Sequence, residues 1–277
     1  MRDTTHQGND SVTDGTAKRW RFAPHDAAKI ATLANQVGVS PVVAQLLVAR
    51  GIATAGTAQI FLESKLSTLH DPDILAGIPA AAQRIHAAVR NKERIIVYGD
   101  YDADGMTATA ILVRCLQMLS ADVGYYVPNR LEEGYGLNSE ALTKLAQRQT
   151  KVVVSVDCGI ASVREAQHAR ELGLDLIITD HHAMGSELPD AILVHPRLPG
   201  REYLFPGLCG AGVAFKLAWA ICQCACDSKK VTERLRNFLL TAVGLAAIGT
   251  VADVVPMVDE NRVIVRHGLM SLKNRPP

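Results

Sequence analysis

The chain has 277 residues, 48% of them hydrophobic and 21% charged, which is enough to bury one substantial core or two smaller ones and excludes a globally disordered protein. Its formal net charge of +1 excludes a bulk basic field for nucleic acid, so a polyanion would have to bind to local patches or to bound metal. Residues 1–18 are polar and contain no apolar run, and no stretch of the sequence looks long enough to span a bilayer. We therefore expect a disordered tail at 1–18, no secretion signal, no membrane association and a cytoplasmic location.

The next region, residues 19–75, shows helical patterns only, so the sequence predicts a small helical extension. One apolar stripe at helical spacing consists of Ile30, Leu33, Ala34 and Val37. Ser40 and Pro41 are residue types preferred at the N-cap and first turn of a second helix, which Gly51 would end.

From residue 76 to 277 the pattern changes, because short β-branched runs alternate with helical patterns. That alternation is typical of βαβ units, so we expect an α/β fold with a mostly parallel sheet flanked by helices. The expected strands are 95–98, 123–127, 152–156, 175–179 and 191–194. The expected helices between and after them are 106–120, 139–147, 162–173, a helix that follows the turn 210–212 and ends near 226, and 232–247. Ser162 and Glu165 have the spacing of a capping box at the start of one of these helices.

Three carboxylates stand at alternate positions directly after the first expected strand, in the sequence DYDADG from Asp100 to Gly105. So dense an acidic cluster indicates a cation site. The same spacing opens an EF-hand calcium loop, but that loop needs a bidentate glutamate where this chain has Ile111, and it is entered from a helix. The calcium loop is therefore excluded, and the cluster is expected at the carboxyl edge of the sheet, where open α/β sheets bind ligands.

Other expected strands are also followed by polar groups, which are Asp157, Asp180, His181 and His182, and a fourth segment carries Asp253. Any single acid of this kind is as often a helix cap or a loop residue as a ligand, but its repetition across strands favours a shared site. Crowded carboxylates repel one another unless cations neutralise them, and mixed carboxylate and imidazole ligands suit Mn²⁺ or Mg²⁺. The residues alone therefore indicate a two-ion site for phosphoester hydrolysis, in which the ions would activate a water nucleophile.

Four short motifs carry a resemblance to a known family: GDYDADG (99–105), VDCG (156–159), TDHH (179–182) and GTVADVVP (249–256). They are similar to the four motifs of the DHH phosphoesterase superfamily. Within it the chain resembles the RecJ family of bacterial exonucleases, on the segments 40–52, 127–138, 195–200 and 210–219. This resemblance covers roughly residues 38–272, and it implies 5′→3′ hydrolysis of phosphodiester bonds in single-stranded DNA, in DNA repair and recombination, with two Mn²⁺ or Mg²⁺ ions.

The resemblance also implies roles for individual positions. The metal ligands that it implies are Asp102, Asp104, Asp157, His181, His182 and Asp253, and the catalytic positions among them are Asp157, His181 and Asp102, with Asp157 bridging the ions. Asp100 and Asp180 lie inside the motifs, and either could touch metal or orient a ligand. The substrate contacts that it implies are Arg130, Tyr135, Gly136 and Arg197.

Several of these positions have a second interpretation. Arg130 could hold a phosphate or pair with one of two neighbouring glutamates, and Tyr135 could stack on a base. His195 stands where the family usually has asparagine, so its role is open. The turn Gly210–Gly212 could approach a phosphate at a helix N-terminus or could simply allow close packing.

The six cysteines lack the paired C-x-x-C spacing of a zinc site, so we expect free thiols in a reducing compartment. Cys222, Cys224 and Cys226 allow a zinc or redox interpretation, but the simpler one is small apolar filler.

The sequence ends shortly after the fourth motif, whereas the family continues into a DHHA1 domain and a nucleic-acid-binding fold. We therefore expect a fragment, with its DHH domain at 76–277, that folds and binds metal but degrades single-stranded DNA poorly. One alternative is a phosphodiesterase of small or cyclic nucleotides, and another is a non-catalytic scaffold, as in a replication factor that resembles the superfamily with eroded motifs. The sequence indicates no protein partner and no oligomeric state.

Overall fold

The structure, a computed structural model, describes residues 25–201, 203–274 and 276. The tail expected at 1–18 therefore lies outside the described residues. The chain divides into two compact units, and each contains a hydrophobic core of its own. The division falls between Leu62 and Glu63, earlier than the boundary between 75 and 76 expected from the sequence.

The described part of the first unit is helical, and its helices are α1 (Ala27–Val37), α2 (Pro41–Ala49) and α3 (Ala55–Glu63). The side chain of Asp26 accepts a hydrogen bond from the Lys29 amide and caps α1, which ends at Gly38 in the left-handed conformation. Ser40 caps α2 in the same way. The core of this unit is formed by Ile30, Leu33, Ala34, Ala44, Leu47 and Ala58. The predicted helical extension is thus confirmed for these residues.

The second unit alternates strands and helices, after two single-turn 3₁₀ segments at Leu66–Thr68 and Pro72–Ile74. Its strands are β1 (Arg94–Tyr98), β2 (Val123–Tyr126), β3 (Thr150–Val156), β4 (Asp175–Thr179) and β5 (Ile192–Val194). Its helices are α4 (Ile78–Asn91), α5 (Ala103–Met118), α6 (Ser139–Gln147), α7 (Val163–Glu171), α8 (Gly210–Cys226), α9 (Glu233–Ala252) and α10 (Asp259–Asn274).

The five strands form one parallel sheet in the order β2-β1-β3-β4-β5. Val97 pairs with Val154, and Val154 pairs with Ile177. Helices cover both faces, with α4, α5 and α8 on one and α6 and α7 on the other, so the central strands are apolar along their length. The predicted α/β fold with a parallel sheet is confirmed. Because the chain runs from β1 outward to β2 and then back to β3, the loops after β1 and β3 diverge and leave a crevice where ligands bind in such sheets.

Two helix starts differ from the expectation. α5 begins at Ala103, before the expected Met106, because the side chain of Asp102 accepts a hydrogen bond of 2.9 Å from the Gly105 amide and caps the helix. α7 begins next to Ser162, but the side chain of this residue makes no capping hydrogen bond. The predicted capping box is therefore wrong, since the backbone at Ser162 is not in the extended conformation that caps use.

α9 runs past its expected end at residue 247, and α10 was not expected at all. Among the described helices, α9 alone has the length and apolarity of a membrane span, and the bent pair of α1 and α2 would pass the same test together. The expectation that no stretch is long enough is therefore wrong for α9. This helix packs against α5, α8 and α10, and core helices of soluble proteins have the same length and composition.

A buried ion pair that the sequence did not reveal joins α8 to α10. Lys216 and Glu260 are both almost completely buried, and Lys216 Nζ lies 2.5 Å from Glu260 Oε1. The same Nζ donates to the carbonyl of His70 (2.6 Å), and the hydroxyl of Tyr203 donates to Glu260 Oε2 (2.8 Å). Burial lowers the pKa of Lys216 even though Glu260 favours its charged form. Both partners therefore have a further hydrogen bond besides the ion pair, and such bonds offset part of the cost of burying two charges.

Candidate metal centre

The acidic residues after the strands lie at one edge of the sheet. Asp100 follows β1, Asp157 follows β3 and Asp180 follows β4, and these three strands are neighbours. Asp253 reaches the same place from the C-terminal end of α9. Segments that are far apart in the sequence therefore bring the predicted ligands together.

Three groups of side chains could hold a cation, and within each group the ligand atoms lie within 4.8 Å of one another. The groups are Asp157, His181 and His182; Asp104, His181 and Asp253; and Asp100, Asp102 and Asp157. His181 Nε2 lies 3.1 Å from Asp157 Oδ1, 3.7 Å from Asp253 Oδ2 and 3.8 Å from Asp104 Oδ2. The six predicted ligands and Asp100 thus form one connected cluster, in which Asp157 and His181 are shared.

Two central atoms of the cluster are available to bind a cation. Asp157 Oδ1 and His181 Nε2 are buried and, although 3.1 Å apart, form no hydrogen bond with each other or with another described residue, whereas nearly all buried polar atoms in proteins have a partner. Burial, followed by the charges of Asp104 and Asp102, raises the pKa of Asp157 to about 10. Burial also raises the pKa of Asp253. A divalent cation would offset this repulsion, so the residues fit Mn²⁺ or Mg²⁺.

Two glycines allow helices to approach the cluster closely. A Cβ at Gly210 would lie 2.5 Å from Asp157 Oδ1, and a Cβ at Gly249 would lie 2.4 Å from Asp104 Oδ1. The first amides of α8, from Gly210 and Ala211, donate to the two oxygens of Asp104 at 2.6 and 2.9 Å. The positive end of α8 therefore stabilises the Asp104 carboxylate, which neither interpretation of the 210–212 turn anticipated.

Asp180 is held by the protein itself. Its Oδ1 accepts hydrogen bonds from the amides of His181 (2.7 Å) and His182 (3.1 Å), and its Oδ2 accepts one from the Ile160 amide (2.9 Å). Burial acts to raise the pKa of Asp180, but the hydrogen bonds from His182 and Ile160 outweigh it and the pKa is lowered. Of the two roles left open by the sequence, this geometry favours orienting a ligand.

The side chain that Asp180 orients is that of His182. His182 Nδ1 lies 2.8 Å from Asp180 Oδ1, and this hydrogen bond raises the pKa of His182. Because Asp180 is an acceptor, Nδ1 carries the proton and Nε2 keeps its lone pair. A second hydrogen bond of this kind is the usual support of a metal-binding histidine.

Asp100 and Asp102 each use one oxygen locally. Asp100 Oδ1 accepts a hydrogen bond from the Tyr101 amide (2.7 Å), and burial raises the pKa of Asp100. Asp102 Oδ1 caps α5. The helix-cap and metal-ligand interpretations of Asp102 are therefore compatible, since a carboxylate has two oxygens.

The backbone beside the cluster is left-handed at two non-glycine residues. Asp157 has a φ of +61° and Val254, directly after Asp253, has a φ of +57°. Aspartate visits this region at modest cost, but a β-branched valine rarely does. Strain of this kind persists only where the surrounding structure enforces it, and it is concentrated at functional sites.

The predicted substrate residues Arg130 and Tyr135 lie beside the cluster. The exposed guanidinium of Arg130 is 4.8 Å from the ring centre of Tyr101. Arg130 forms no ion pair with any residue that the structure describes, so the alternative of a pairing with a neighbouring glutamate is not present. The Tyr135 hydroxyl donates to the carbonyl of Asp157 (3.1 Å) and lies 3.3 Å from His182 Nδ1. Sequence reasoning missed Tyr101, although an aromatic residue between two acids of the first motif was the signal that could have revealed it.

Gly136 fixes the conformation of the loop that carries Arg130 and Tyr135. It is buried with a φ of +83°, and its carbonyl accepts a hydrogen bond of 3.0 Å from the Tyr98 hydroxyl. The Asn138 side chain donates to the same hydroxyl (3.1 Å). Gly136 therefore acts on the loop conformation, because its carbonyl is bound to a side chain of the core beneath the loop.

Arg197 and His195 support the two histidines. The Arg197 guanidinium donates to the carbonyl of His181, and the Arg197 amide donates to His195 Nδ1 (3.0 Å). His195 Nε2 donates to the carbonyl of His182 (2.9 Å), and burial lowers the pKa of His195. A neutral imidazole offers one donor and one acceptor, as an asparagine amide does, which explains how histidine serves at this position.

The cysteines are not members of these groups, although Cys158 follows Asp157 and Cys209 lies close to Asp104. All six are free thiols, and Cys115 Sγ and Cys222 Sγ are 3.8 Å apart in the core. No cysteine belongs to a cation-holding group in the part of the chain that the structure describes. The interpretation of Cys222 as apolar filler therefore fits its complete burial.

Comparison with known protein families matches residues 94–247 to the DHH family, N-terminal domain. The chain is 46% identical over 256 residues to the single-stranded-DNA-specific exonuclease RecJ of Bacillus subtilis (strain 168), which covers 92% of this chain and 31% of that protein. It is 37% identical over 238 residues to the protein of the same name from Escherichia coli (strain K12), covering 84% of this chain and 40% of that protein. The chain thus spans less than half the length of these relatives.

Solved structures give the same result. A crystal structure of exonuclease RecJ bound to manganese matches with a TM-score of 0.66 and 40% identity, over 75% of this chain and 50% of that one. RecJ of Thermus thermophilus in complex with Mn²⁺ matches with a TM-score of 0.75 and 33% identity, over 92% of this chain and 35% of that one. Since the matched family segment covers more than half of the chain and contains β1 to β5, the protein belongs to the DHH family.

Proposed function

We propose that this chain carries the metal-dependent centre of a 5′→3′ exonuclease that hydrolyses phosphodiester bonds in single-stranded DNA. One observation carries the proposal: acids and histidines from four separate segments meet around two buried ligand atoms, Asp157 Oδ1 and His181 Nε2, that have no hydrogen-bond partner among the described residues.

The ligands of two Mn²⁺ or Mg²⁺ ions are Asp102, Asp104, Asp157, His181, His182 and Asp253, with Asp100 as a further candidate. When bound, such ions supply Lewis-acid activation of a water nucleophile and neutralise charge on the phosphate oxygens. The chain itself orients the ligands through the Asp180 carboxylate, the first amides of α8 and the Arg197 guanidinium. It also keeps the centre largely buried, which strengthens electrostatic interactions with the substrate.

Arg130, Tyr101 and Tyr135 form one wall beside the ligands. A guanidinium binds a phosphate through paired hydrogen bonds, and exposed aromatic rings stack on the bases of single strands without regard to sequence. Because Tyr135 is tied to the Asp157 carbonyl, a strand held by this wall would have its backbone next to the metal ligands.

The choice of single-stranded DNA is supported by the names of the relatives, and the 5′→3′ direction rests on the family resemblance alone. A cytoplasmic location fits such a substrate. Phosphodiesterase activity on small or cyclic nucleotides and a non-catalytic scaffold stay as alternatives. Intact ligands argue against the scaffold, because an ion-binding cluster of this charge costs stability unless it is used.

The test is hydrolysis by the purified chain with Mn²⁺, Mg²⁺ or EDTA. The substrates are a long single strand labelled at the 5′ end, the same strand labelled at the 3′ end, a duplex and a cyclic dinucleotide. We expect slow, Mn²⁺-dependent release of 5′ nucleotides from the single strand and none from Asp157→Asn. Asp190→Asn, which changes an exposed acid paired with Arg170, is the control and should retain the activity. Cleavage of the dinucleotide alone, or Mn²⁺ binding with no cleavage, would replace the proposal by one of the two alternatives.

A further inference from the structure

Asn261, in the first turns of α10, is completely buried and uses its amide in an unusual way. Its Nδ2 donates to the carbonyl of Gly207 (2.6 Å) and to the carbonyl of Pro256 (3.0 Å). Its Oδ1 is buried without a hydrogen-bond partner among the residues described. A buried amide costs free energy that only its hydrogen bonds offset, so these two bonds to separate backbone segments are the reason for this side chain.

The segment that contains Pro256 also carries one of the proposed metal ligands, Asp253. Pro256 lies three residues after Asp253, and Val254 between them is held in the left-handed conformation although its side chain is 85% exposed. An exposed side chain has little packing that could impose this conformation. The bond from Asn261 to the Pro256 carbonyl is therefore a constraint that keeps the turn after Asp253 in place.

The segment that contains Gly207 leads to the amides that bind another proposed ligand, Asp104. Gly207 lies three residues before Gly210, and the amides of Gly210 and Ala211 donate to both oxygens of Asp104. The bond from Asn261 to the Gly207 carbonyl thus fixes the chain that leads into the start of α8.

The two segments meet at one group of ligands. Asp104 and Asp253 both face His181 Nε2, at 3.8 and 3.7 Å, and together these three form one of the cation-holding groups. The other two groups take their ligands from the ends of β1, β3 and β4. Among the described residues neither segment donates a hydrogen bond to a side chain of these groups, although Gly210 lies against the Asp157 carboxylate. The hydrogen bonds of Asn261 go to two backbone carbonyls and not to a ligand, so its effect would pass through the backbone.

We propose that Asn261 is a positioning residue for one of the two ions: by tying the Pro256 carbonyl to the Gly207 carbonyl, it sets the separation of Asp253 and Asp104. The inference rests on the proposed two-ion centre. It predicts that loss of the Asn261 side chain weakens binding of the ion held by Asp104, His181 and Asp253. Binding of the ion held by the remaining ligands should not change.

The test is calorimetric titration of the chain with Mn²⁺, together with thermal unfolding in EDTA. In Asn261→Ala we expect one Mn²⁺ site to weaken by about 10- to 100-fold, the range seen when outer partners of metal ligands are removed, while the second site is unchanged. Asn261→Ser keeps one donor and should give an intermediate loss. Ile264→Val is the control, because it removes a buried methyl group of the same helix that cannot form either hydrogen bond.

The control should unfold at a lower temperature and keep both Mn²⁺ sites, since a merely structural role would alter stability without separating the two sites. Two unchanged sites in both Asn261 variants would overturn the inference, and so would equal weakening of both sites. If the unsubstituted chain bound no Mn²⁺, the proposed function would fail and the inference with it, so the two failures are distinguishable.

Discussion

Replacing Asp157 with asparagine is expected to stabilise the metal-free protein and to weaken its response to Mn²⁺. In the folded chain, burial and the neighbouring carboxylates of Asp104 and Asp102 raise the pKa of Asp157 from 3.8 to about 10. At pH 7 the folded state therefore holds a proton that the unfolded chain has released. Stability from this group is fully present below pH 3.8 and is lost as the pH rises towards 10.

The free-energy cost of Asp157 at pH 7 follows from the difference between pH 7 and the pKa of this group in the unfolded chain. About three pH units at about 1.4 kcal/mol each give a cost of about 4 kcal/mol at pH 7, which is an upper limit because neighbouring carboxylates share protons with Asp157. Asparagine removes this cost and tolerates the left-handed backbone at this position. The gain in unfolding free energy should shrink towards zero near pH 4.

The matched control is Asp180→Asn, because Asp180 is also buried but its pKa is shifted in the opposite direction. Hydrogen bonds from His182 and Ile160 overcome burial and lower the pKa of Asp180, so its contribution is present at neutral pH and is lost as the pH falls. This variant should lose about 1–3 kcal/mol at pH 7, the cost of a broken buried hydrogen bond.

The assay is urea unfolding, followed by circular dichroism at pH 4.5 and pH 7 in EDTA and repeated in Mn²⁺. At a hundredfold excess over its Kd, each bound Mn²⁺ should stabilise the unsubstituted chain by about 2.7 kcal/mol, and Asp157→Asn should lose the part that comes from the ion that Asp157 helps to hold. The reasoning would be refuted if Asp157→Asn destabilised the protein in EDTA, or if its gain were equal at both pH values.

Three further outcomes are expected. Arg130→Ala should reduce the salt dependence of single-strand binding by about 0.7 in the slope of log K against log salt, whereas Arg130→Lys should not; anisotropy at several salt concentrations measures this, and an unchanged slope would exclude a phosphate contact. Gly210→Ala would place a Cβ 2.5 Å from a ligand carboxylate and should weaken Mn²⁺ binding in calorimetry, unlike Gly56→Ala, whose Cβ meets nothing within 4 Å. Lys216→Met should lower the free energy of unfolding by about 3–5 kcal/mol by leaving Glu260 buried without its partner, and adding Glu260→Leu should recover most of the loss; no recovery would contradict this account.

Much of the fold could be predicted from the sequence because its signals are local. Short β-branched runs predicted all five strands, and helical spacing predicted most of the helices between them. The acids that follow β1, β3 and β4 predicted the edge of the sheet at which ligands bind. Prediction failed where the deciding partner was distant or the signal weak. The start of α5 depends on the Asp102 cap, and α10, whose apolar residues are mixed with many charged and polar ones, packs on α9.

By itself, the sequence determined which residue types could bind a cation and which segments carry them, since composition and spacing are properties of the chain. Only the tertiary structure decided which of these residues face the cation-holding cluster and which orient another side chain. Asp180 orients His182, and Asp104 is held by the amides of α8. Asn261 ties together two loops that are distant in sequence. The reason is that a carboxylate's role depends on which donors reach its oxygens, and those donors come from residues that only folding brings within about 3 Å.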